Sequence, residues 1–417
     1  MSFLLLYIIA SWSPLIAASG TSPSEPSFVP DPSGRGTVGL LWTCILTLWP
    51  CVWTAIHLNV PRRDSKWWQR FLNKLSYAAL TLVFPELMLT LVVSQFYCAW
   101  RFAKEMNKVI ASRNEDGQST QLEPHQGCPA STITSDTRFE NWNLTTAFFG
   151  MMGGFEVKFT GVKRDSKGRL DVLTPKLLIG LARGNMLPPV DNWVCKDRGK
   201  SDEIGKLFVV GQVTWFILQC IGRKAAGLPV TLLEINTSIH VACAIGIYGL
   251  MWLKPQGASE ALVIDVSMCP KCNHFMTENR QDLVSRADNL LTAMHDEFDQ
   301  TRLRTFTMII LGVIYGGLHT VAWDAHFPSY AEQILWRVSA VLIVGLSAIL
   351  FFFAQYVDRL PDEGEMSLSQ SLVLLFVLPL FFFPRLYLVI EAFISVRSLP
   401  VGAYQTVDWV EFLPHIG

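Results

Sequence analysis

The sequence predicts an all-α fold, a polytopic bundle of transmembrane helices. Of the 417 residues, 50% are hydrophobic and 17% are charged, whereas about a quarter of an average soluble domain is charged. The apolar residues are gathered into runs of about 20, the length that a helix needs to cross ~30 Å of hydrocarbon. Because these runs recur along nearly the whole chain, the sequence excludes an ordinary soluble enzyme and argues against a protein held by one anchor.

The first apolar run, residues 1–19, is either a cleaved signal peptide or a retained first span. It ends in the small residues Ala17-Ala18-Ser19-Gly20, which are typical of a signal-peptide cleavage site, although no Lys or Arg precedes it. Retained, it would be an eighth span. The Ser- and Pro-rich residues 20–35 are interpreted as a polar linker.

Seven further runs predict firm spans, at residues 36–58, 75–100, 204–221, 229–253, 306–323, 334–357 and 369–396. Prolines inside lipid-embedded helices often mark a kink beside a cavity, and four fall in the interior of these runs, namely Pro50, Pro85, Pro379 and Pro384. The chain therefore divides into two first spans (36–100), a lumenal or interfacial insertion (101–203), a helical hairpin (204–253), an extramembrane helical segment (254–304) and three C-terminal spans with a tail (305–417).

The short loops predict the orientation, since cytosolic loops are rich in Lys and Arg. The basic loops 62–74 and 223–224 fall on one side if all seven runs cross, and the acidic loop 358–365 falls on the other. The N-terminal stretch is then lumenal and the C-terminus cytosolic, in the endoplasmic reticulum or another endomembrane. The glycosylation sequon at Asn143 falls on the predicted lumenal side.

Within the insertion, residues 142–159 are interpreted as a re-entrant or interfacial segment. The amphipathic residues 173–187 predict a helix that lies on the membrane surface.

Charged groups at membrane depth are expensive, so each one in a span is a candidate functional residue. Burial favours the neutral carboxyl that an acid catalyst needs, and the predicted catalytic acids are Glu86, Glu234 and Asp324. The predicted proton partners and substrate-binding groups are His57, Asn236, His240, His319, Glu391 and Arg385. The alternative is that each group only satisfies a backbone or interhelical partner, as Glu391 would with Arg385.

Other motifs predict no metal site and no cofactor. Cys269 and Cys272, followed by His274, resemble half of a zinc site, but no second CxxC exists, and a local disulfide or free thiols stay open. The acidic cluster 295–299 is either a divalent-ion site or the solvated face of a helix. No DDxxD, DxDD, GxSxG, HExxH, Walker or Rossmann motif is present, and a net charge of −1 leaves no basic field for nucleic acid.

Several strings lie along residues 34–417, namely GRGT (34–37), LWTC (41–44), WTAIHLNVP (53–61), MGGF (152–155), LPVTLLEIN (228–236), WLKP (252–255), EQILWR (332–337), RLY (385–387) and FLPHI (412–416). Together they resemble a fungal family of polytopic membrane proteins. That family includes the membrane terpene cyclase of ascofuranone-type meroterpenoid biosynthesis. The chain departs from the family pattern at Thr145-Thr146, where members carry His, and at Asp324, where many carry Asn.

The resemblance implies an isomerase- or lyase-type cyclase that opens a terminal epoxide on a farnesylated aromatic substrate and closes an oxygen-containing ring. It implies no metal or organic cofactor. Its partners would be the lipophilic prenylated substrate and the bilayer, with a homo-oligomer as an open alternative. Intramembrane acids and broken helices fit a transporter or channel for a small or lipophilic metabolite as well, and a non-catalytic membrane scaffold is the third hypothesis.

Overall fold

The structure, a computed structural model, describes residues 26, 28–30, 35–61, 65–119, 140–159, 171–192, 195, 203–258, 260–283, 301–357 and 368–407. Three of the predictions fall outside the described residues. They concern the first apolar run, the acidic cluster 295–299 and the acidic loop 358–365.

Helices make up most of the described chain. They are α1 (Thr37–Ala55), α2 (Trp67–Val83), α3 (Pro85–Ser119), α4 (Leu144–Met151), α5 (Pro175–Arg183), α6 (Glu203–Ala225), α7 (Leu232–Met251), α8 (Pro270–Glu278), α9 (Thr301–His319), α10 (Tyr330–Val357) and α11 (Leu368–Ile394). Four short 3-10 helices lie at Arg280–Asp282, Thr320–Ala322, Ser395–Arg397 and Val401–Tyr404. The prediction of a helical protein is confirmed.

Five helical segments among the described residues are long and apolar enough to cross a membrane, namely Thr37–Ala55, Leu232–Met251, Arg302–Ala322, Tyr330–Ile349 and Pro379–Arg397. The bent pair of α2 and α3 makes a sixth if it counts as one span. The predicted run 204–221 is helical within α6 but is not among the five. The coarse prediction of a multi-helix membrane protein therefore holds, while seven crossings are not established.

The helices α2 and α3 form a hairpin, although the sequence predicts one continuous span at 75–100. The chain bends by 115° between them. Phe84 leaves the helical conformation (φ −131°, ψ 62°), because proline disfavours the helical region for the residue before it and contributes no N–H of its own. The break therefore follows from Pro85.

Both ends of this hairpin lie at the same end of the bundle. Near the start of α2, Phe71 contacts Trp53 of α1, with ring centroids 5.7 Å apart. Farther along α3, the Gln95 Oε1 atom accepts a hydrogen bond of 3.0 Å from Lys254, three residues past α7. Because Gln256 donates to the Thr54 carbonyl, the ends of α1 and α7 are neighbours. This end is called the Lys254 end.

The opposite end brings the two termini of the described bundle together, and it is called the Arg35 end. The backbone N–H of Arg35 donates to the Tyr404 carbonyl at 3.3 Å. Arg223, at the end of α6, donates to the carbonyls of Gly402, Ala403 and Gln405. The described residues near both termini therefore lie together at one end of the bundle, while the predicted sides of the membrane stay a prediction.

A compact subdomain lies at the Lys254 end. Its sheet has the strand order β2-β1-β3, with β1 (Phe155–Lys158) antiparallel to β2 (Asp171–Val172) and parallel to β3 (Leu262–Asp265). These strands are an addition to the predicted all-α fold. They join the insertion 101–203 to the segment after α7 in one sheet.

The apolar faces of the subdomain pack on protein. Trp142, Phe149 and Phe155 form an aromatic core with Phe102 of α3. In α5 the apolar residues, including Leu178, are buried in the same core. Residues 142–159 and 173–187, which the sequence predicts to associate with the membrane, contribute buried apolar side chains to this core.

The helices α9 and α10 approach closely because glycines line their contact. A β-carbon built on Gly316 would lie 2.8 Å from the Val344 side chain and 3.0 Å from its backbone nitrogen. Small residues at such positions let helix backbones approach each other in a membrane. This packing brings the C-terminal part of α9 against Trp336, whose indole donates to the His319 carbonyl at 3.1 Å.

Candidate functional site

A polar cluster is buried in the middle of the helix bundle, where α3, α7, α9 and α11 meet. Each of its side chains is at most 2% exposed. The members are Glu86, Asn236, His240, Tyr315, His319 and Arg385, and the set is called the Glu86 cluster. All but Tyr315 are predicted site residues.

The centre of the cluster is an ion pair between Glu86 and Arg385. The Arg385 Nε atom donates to Glu86 Oε1 at 2.5 Å, and both side chains are fully buried. The first turn of α3 places Glu86 where a helix N-terminus stabilises negative charge. The guanidinium also lies 3.6 Å from the centre of the Phe381 ring, a cation–π contact. Arg385 thus pairs with Glu86, whereas the sequence offered Glu391 as its partner.

Two helix faces supply the other members. Asn236 and His240 are four residues apart on α7, and Tyr315 and His319 are four apart on α9, so each pair shares one face. The His319 Nε2 atom lies 3.3 Å from Asn236 Oδ1. The Tyr315 ring contacts both imidazoles, with centroids 4.6 Å from His319 and 5.9 Å from His240. One connected network of polar and aromatic groups results.

Four polar atoms of this cluster have no hydrogen-bond partner within the described part of the chain. They are Glu86 Oε2, Asn236 Nδ2, Tyr315 Oη and Arg385 Nη2. A buried donor or acceptor without a partner costs about 1–3 kcal/mol, so such atoms point to a bound group that completes them. Three are donors and one is a carboxylate oxygen. Their chemistry matches an oxygen-bearing group that accepts from the donors and gives a proton to the carboxylate.

The other two predicted acids lie away from this cluster. Glu234 closes a capping box with Thr231 at the start of α7 and pairs with Arg35 at 2.5 Å, at the Arg35 end. Asp324 follows α9 at the surface, where its side chain is 63% exposed and pairs with Arg337 at 3.1 Å. Their contacts fit helix capping and surface pairing.

Two further predicted residues also lie elsewhere. His57 follows α1 and contacts the Ala55 carbonyl at 3.0 Å. Glu391 lies one turn beyond Tyr387 on α11, and the Tyr387 hydroxyl donates to it at 3.4 Å. Six residues separate Glu391 from Arg385, which places them on different faces of the helix.

Tyr315 is the member of the cluster that the sequence did not single out. Tyrosine carries no formal charge, so a search for charged groups in apolar runs passes over it. The available signal was its spacing of four residues from His319, which predicts a shared helix face.

The described residues outside the spans contain a buried amine at the Lys254 end. The Lys254 side chain is 4% exposed, and burial lowers its pKa to about 7. The CxxC pair lies in the same subdomain, where the Cys269 sulfur caps α8 by accepting from the Cys272 N–H. Both cysteines are unbridged. Within the described part of the chain, no group of three His, Cys, Asp or Glu residues is placed to hold a metal ion.

Comparison with known proteins gives one match. A family of unknown function, DUF8562, matches residues 3–282 and 294–416, which is nearly the whole chain. No curated protein and no solved structure matches it.

Proposed function

Since the chain belongs to this family of unknown function, we propose an activity from its buried cluster: the protein is a membrane-embedded terpene cyclase. It protonates a terminal epoxide of a farnesylated aromatic, meroterpenoid-type substrate and closes an oxygen-containing ring without a metal or organic cofactor. The observation that carries the proposal is the set of four unpartnered polar atoms inside an apolar helix bundle. The resemblance of the sequence strings to a fungal cyclase family suggests the substrate class.

The proposed mechanism uses Tyr315 as the proton donor and Glu86 as the proton acceptor. Tyr315 Oη donates its proton to the epoxide oxygen as the C–O bond breaks, and Arg385 Nη2 and Asn236 Nδ2 stabilise the charge on that oxygen. A substrate hydroxyl attacks the opened carbon and loses its proton to Glu86 Oε2. Return of that proton from Glu86 to Tyr315 closes the cycle, so the product is an isomer of the substrate.

Glu86 suits the accepting role better than the donating role first predicted for it. Its Oε1 atom accepts from Arg385, and its Oε2 atom meets no donor within the described part of the chain. Positive charge on the opened carbon would be stabilised by aromatic faces. The rings of Tyr315 and Trp336, both in contact with His319, are aromatic groups at the Glu86 cluster that would supply such faces.

We also propose the arrangement of the chain in an endomembrane such as the endoplasmic reticulum. Helices α1, α6, α7, α9, α10 and α11 cross, and the α2–α3 hairpin enters and leaves at the Lys254 end. The predicted sequon at Asn143 then lies at the same end as α2, and its modification would make that end lumenal. Loss of a glycan-dependent gel shift in Asn143→Gln, with retention of the shift in Asn192→Gln, would test this.

The test of the activity is isomerisation by membranes that contain the chain. They are incubated with an epoxidised farnesyl-aromatic substrate, and products are separated and weighed. We expect a product of unchanged mass and altered retention, lost in Glu86→Gln and Tyr315→Phe. The matched control is Asp324→Asn, since that carboxylate is exposed. No isomer from folded wild-type protein would refute the proposal.

The α2–α3 hairpin favours one alternative, a transporter for a lipophilic metabolite, because broken helices build substrate sites at the membrane midplane. A flux measurement on sealed vesicles with the same substrate and variants separates the two functions. A transporter would move the substrate unchanged across sealed vesicles, and Glu86→Gln would abolish that movement.

A further inference from the structure

Helix α2 carries its positive charge along one stripe. Lys66 immediately precedes the helix, and Arg70 and Lys74 follow at intervals of four residues, so the three positions share one face. No Asp or Glu occurs between residues 65 and 85. This set of three cations, called the Lys66 stripe, therefore has no carboxylate on its own helix to neutralise it.

The apolar residues beside the stripe are exposed in the first half of α2. Trp67 is 79% exposed, and Trp68 and Leu72 are exposed as well. The buried residues of the helix, Ala78 and Thr81, lie farther along it. A helix with an exposed apolar side and Lys or Arg on its polar side is typical of segments that lie in the plane of the membrane interface. The first half of α2 has this character.

Tryptophans mark the depth of the membrane interface at the Lys254 end. Tryptophan is enriched at the level of the lipid headgroups. Trp100 is exposed on α3, five residues beyond Gln95, and Trp252 is exposed just after α7. Trp67 lies at the start of α2, at the same end of the bundle. The Lys66 stripe therefore begins at the level where lipid phosphates lie.

Neighbouring side chains hold two of the three cations in place. The Lys74 Nζ atom lies 4.6 Å from the centre of the Trp53 ring on α1, a cation–π contact. The Arg70 Nε atom donates to the Ser65 hydroxyl at 2.8 Å. A guanidinium has five N–H donors, and this contact uses one of them. Donors of this kind form strong, charge-assisted hydrogen bonds with phosphate oxygens.

We propose that the first half of α2 lies in the headgroup layer and that Lys66, Arg70 and Lys74 bind the phosphate of an anionic phospholipid. The acyl chains of that lipid pack against Trp67 and Leu72. A zwitterionic lipid fits less well, because its own cation meets the stripe. A second copy of this chain fits less well too, because a two-fold interface would bring two such stripes together. This inference goes beyond the proposed function and does not depend on it.

Lipid binding is measured by native mass spectrometry of the full chain in detergent, titrated with phosphatidylserine or phosphatidylcholine. We expect phosphatidylserine to bind more tightly. Each Lys or Arg near an anionic lipid surface strengthens association about fivefold, so the triple variant Lys66→Gln, Arg70→Gln, Lys74→Gln should bind phosphatidylserine about 100-fold more weakly. The charge-conserving triple variant Lys66→Arg, Arg70→Lys, Lys74→Arg should bind nearly as well as the wild type.

The matched control removes three cations that are already paired with carboxylates. It is the triple variant Lys108→Gln, Lys158→Gln, Lys176→Gln, whose partners are Glu105, Asp265 and Asp282. This control should keep its affinity for phosphatidylserine.

Three results would overturn the proposal. The first is equal loss of affinity in the control and in the Gln variant of the stripe, with both variants folded by circular dichroism, because net charge alone would then explain binding. The second is displacement of the lipid by inorganic phosphate at equal concentration, which would indicate a site for free anions. The third is a wild-type dimer that the Gln variant loses while its lipid affinity stays unchanged, which would assign the surface to a second copy.

Discussion

Breaking the Glu86–Arg385 pair should destabilise the bundle more than any surface change. At an effective dielectric constant of 20, two unit charges about 4 Å apart attract by about 4 kcal/mol. The Arg385 Nε and Glu86 Oε1 atoms are 2.5 Å apart, and water reaches neither side chain. Removing one partner leaves an uncompensated buried charge, which costs about 3–5 kcal/mol. We expect Glu86→Gln to lower the free energy of unfolding by that amount.

The assay is unfolding in mixed detergent micelles, followed by circular dichroism, for Glu86→Gln, Arg385→Met and the double variant. Because the double variant leaves no unpaired charge, it should lose less stability than the sum of the single variants. The control pair is Asp324 and Arg337, which is partly exposed and should contribute at most about 1 kcal/mol. Single variants that each cost less than 1 kcal/mol and add without coupling would refute a buried ion pair.

Three further predictions concern packing and pH. Gly316→Leu should separate α9 from α10 and lower the melting temperature. The control is Gly317→Leu, because a β-carbon added at Gly317 meets nothing within 4 Å, and its melting temperature should not fall. Equal effects of the two variants would contradict the close approach of α9 and α10. Burial lowers the pKa of Lys254 to about 7 from its ordinary 10.5, so the unfolded chain binds the proton more tightly. The free energy of unfolding should therefore rise between pH 7 and 10, by up to about 1.4 kcal/mol per pH unit. The variant Lys254→Met should remove that slope. Hydrogen bonds from Lys158 and Ser267 lower the pKa of Asp265 to about 2. The stability that Asp265 contributes is present above about pH 4 and should be lost as the pH falls towards 2. Thermal melts of Asp265→Asn over that pH range should show no such loss.

The sequence by itself determined the class of protein and the identity of most cluster members. Runs of about 20 apolar residues require helices in lipid, because every backbone group there must be satisfied within the segment. A charge in such a run is costly enough to stand out, which is why Glu86, His240, His319 and Arg385 could be selected from the sequence. Asn236 was selected as an amide in an apolar run, whereas Tyr315 was not, because tyrosine is common in membrane proteins.

Only the tertiary structure decided which of these groups meet. Glu86 and Arg385 are 299 residues apart, and hydropathy carries no information about contacts at that separation. It also could not separate a span from a hairpin: Pro85 signalled a kink, but the direction of α3 after the break depends on its packing against the subdomain core. The same limit applies to Glu234 and Asp324, whose partners Arg35 and Arg337 are set by how helix ends pack. The sequence of each segment states which chemical groups it carries, whereas the pairing of these groups depends on contacts between segments far apart in the chain.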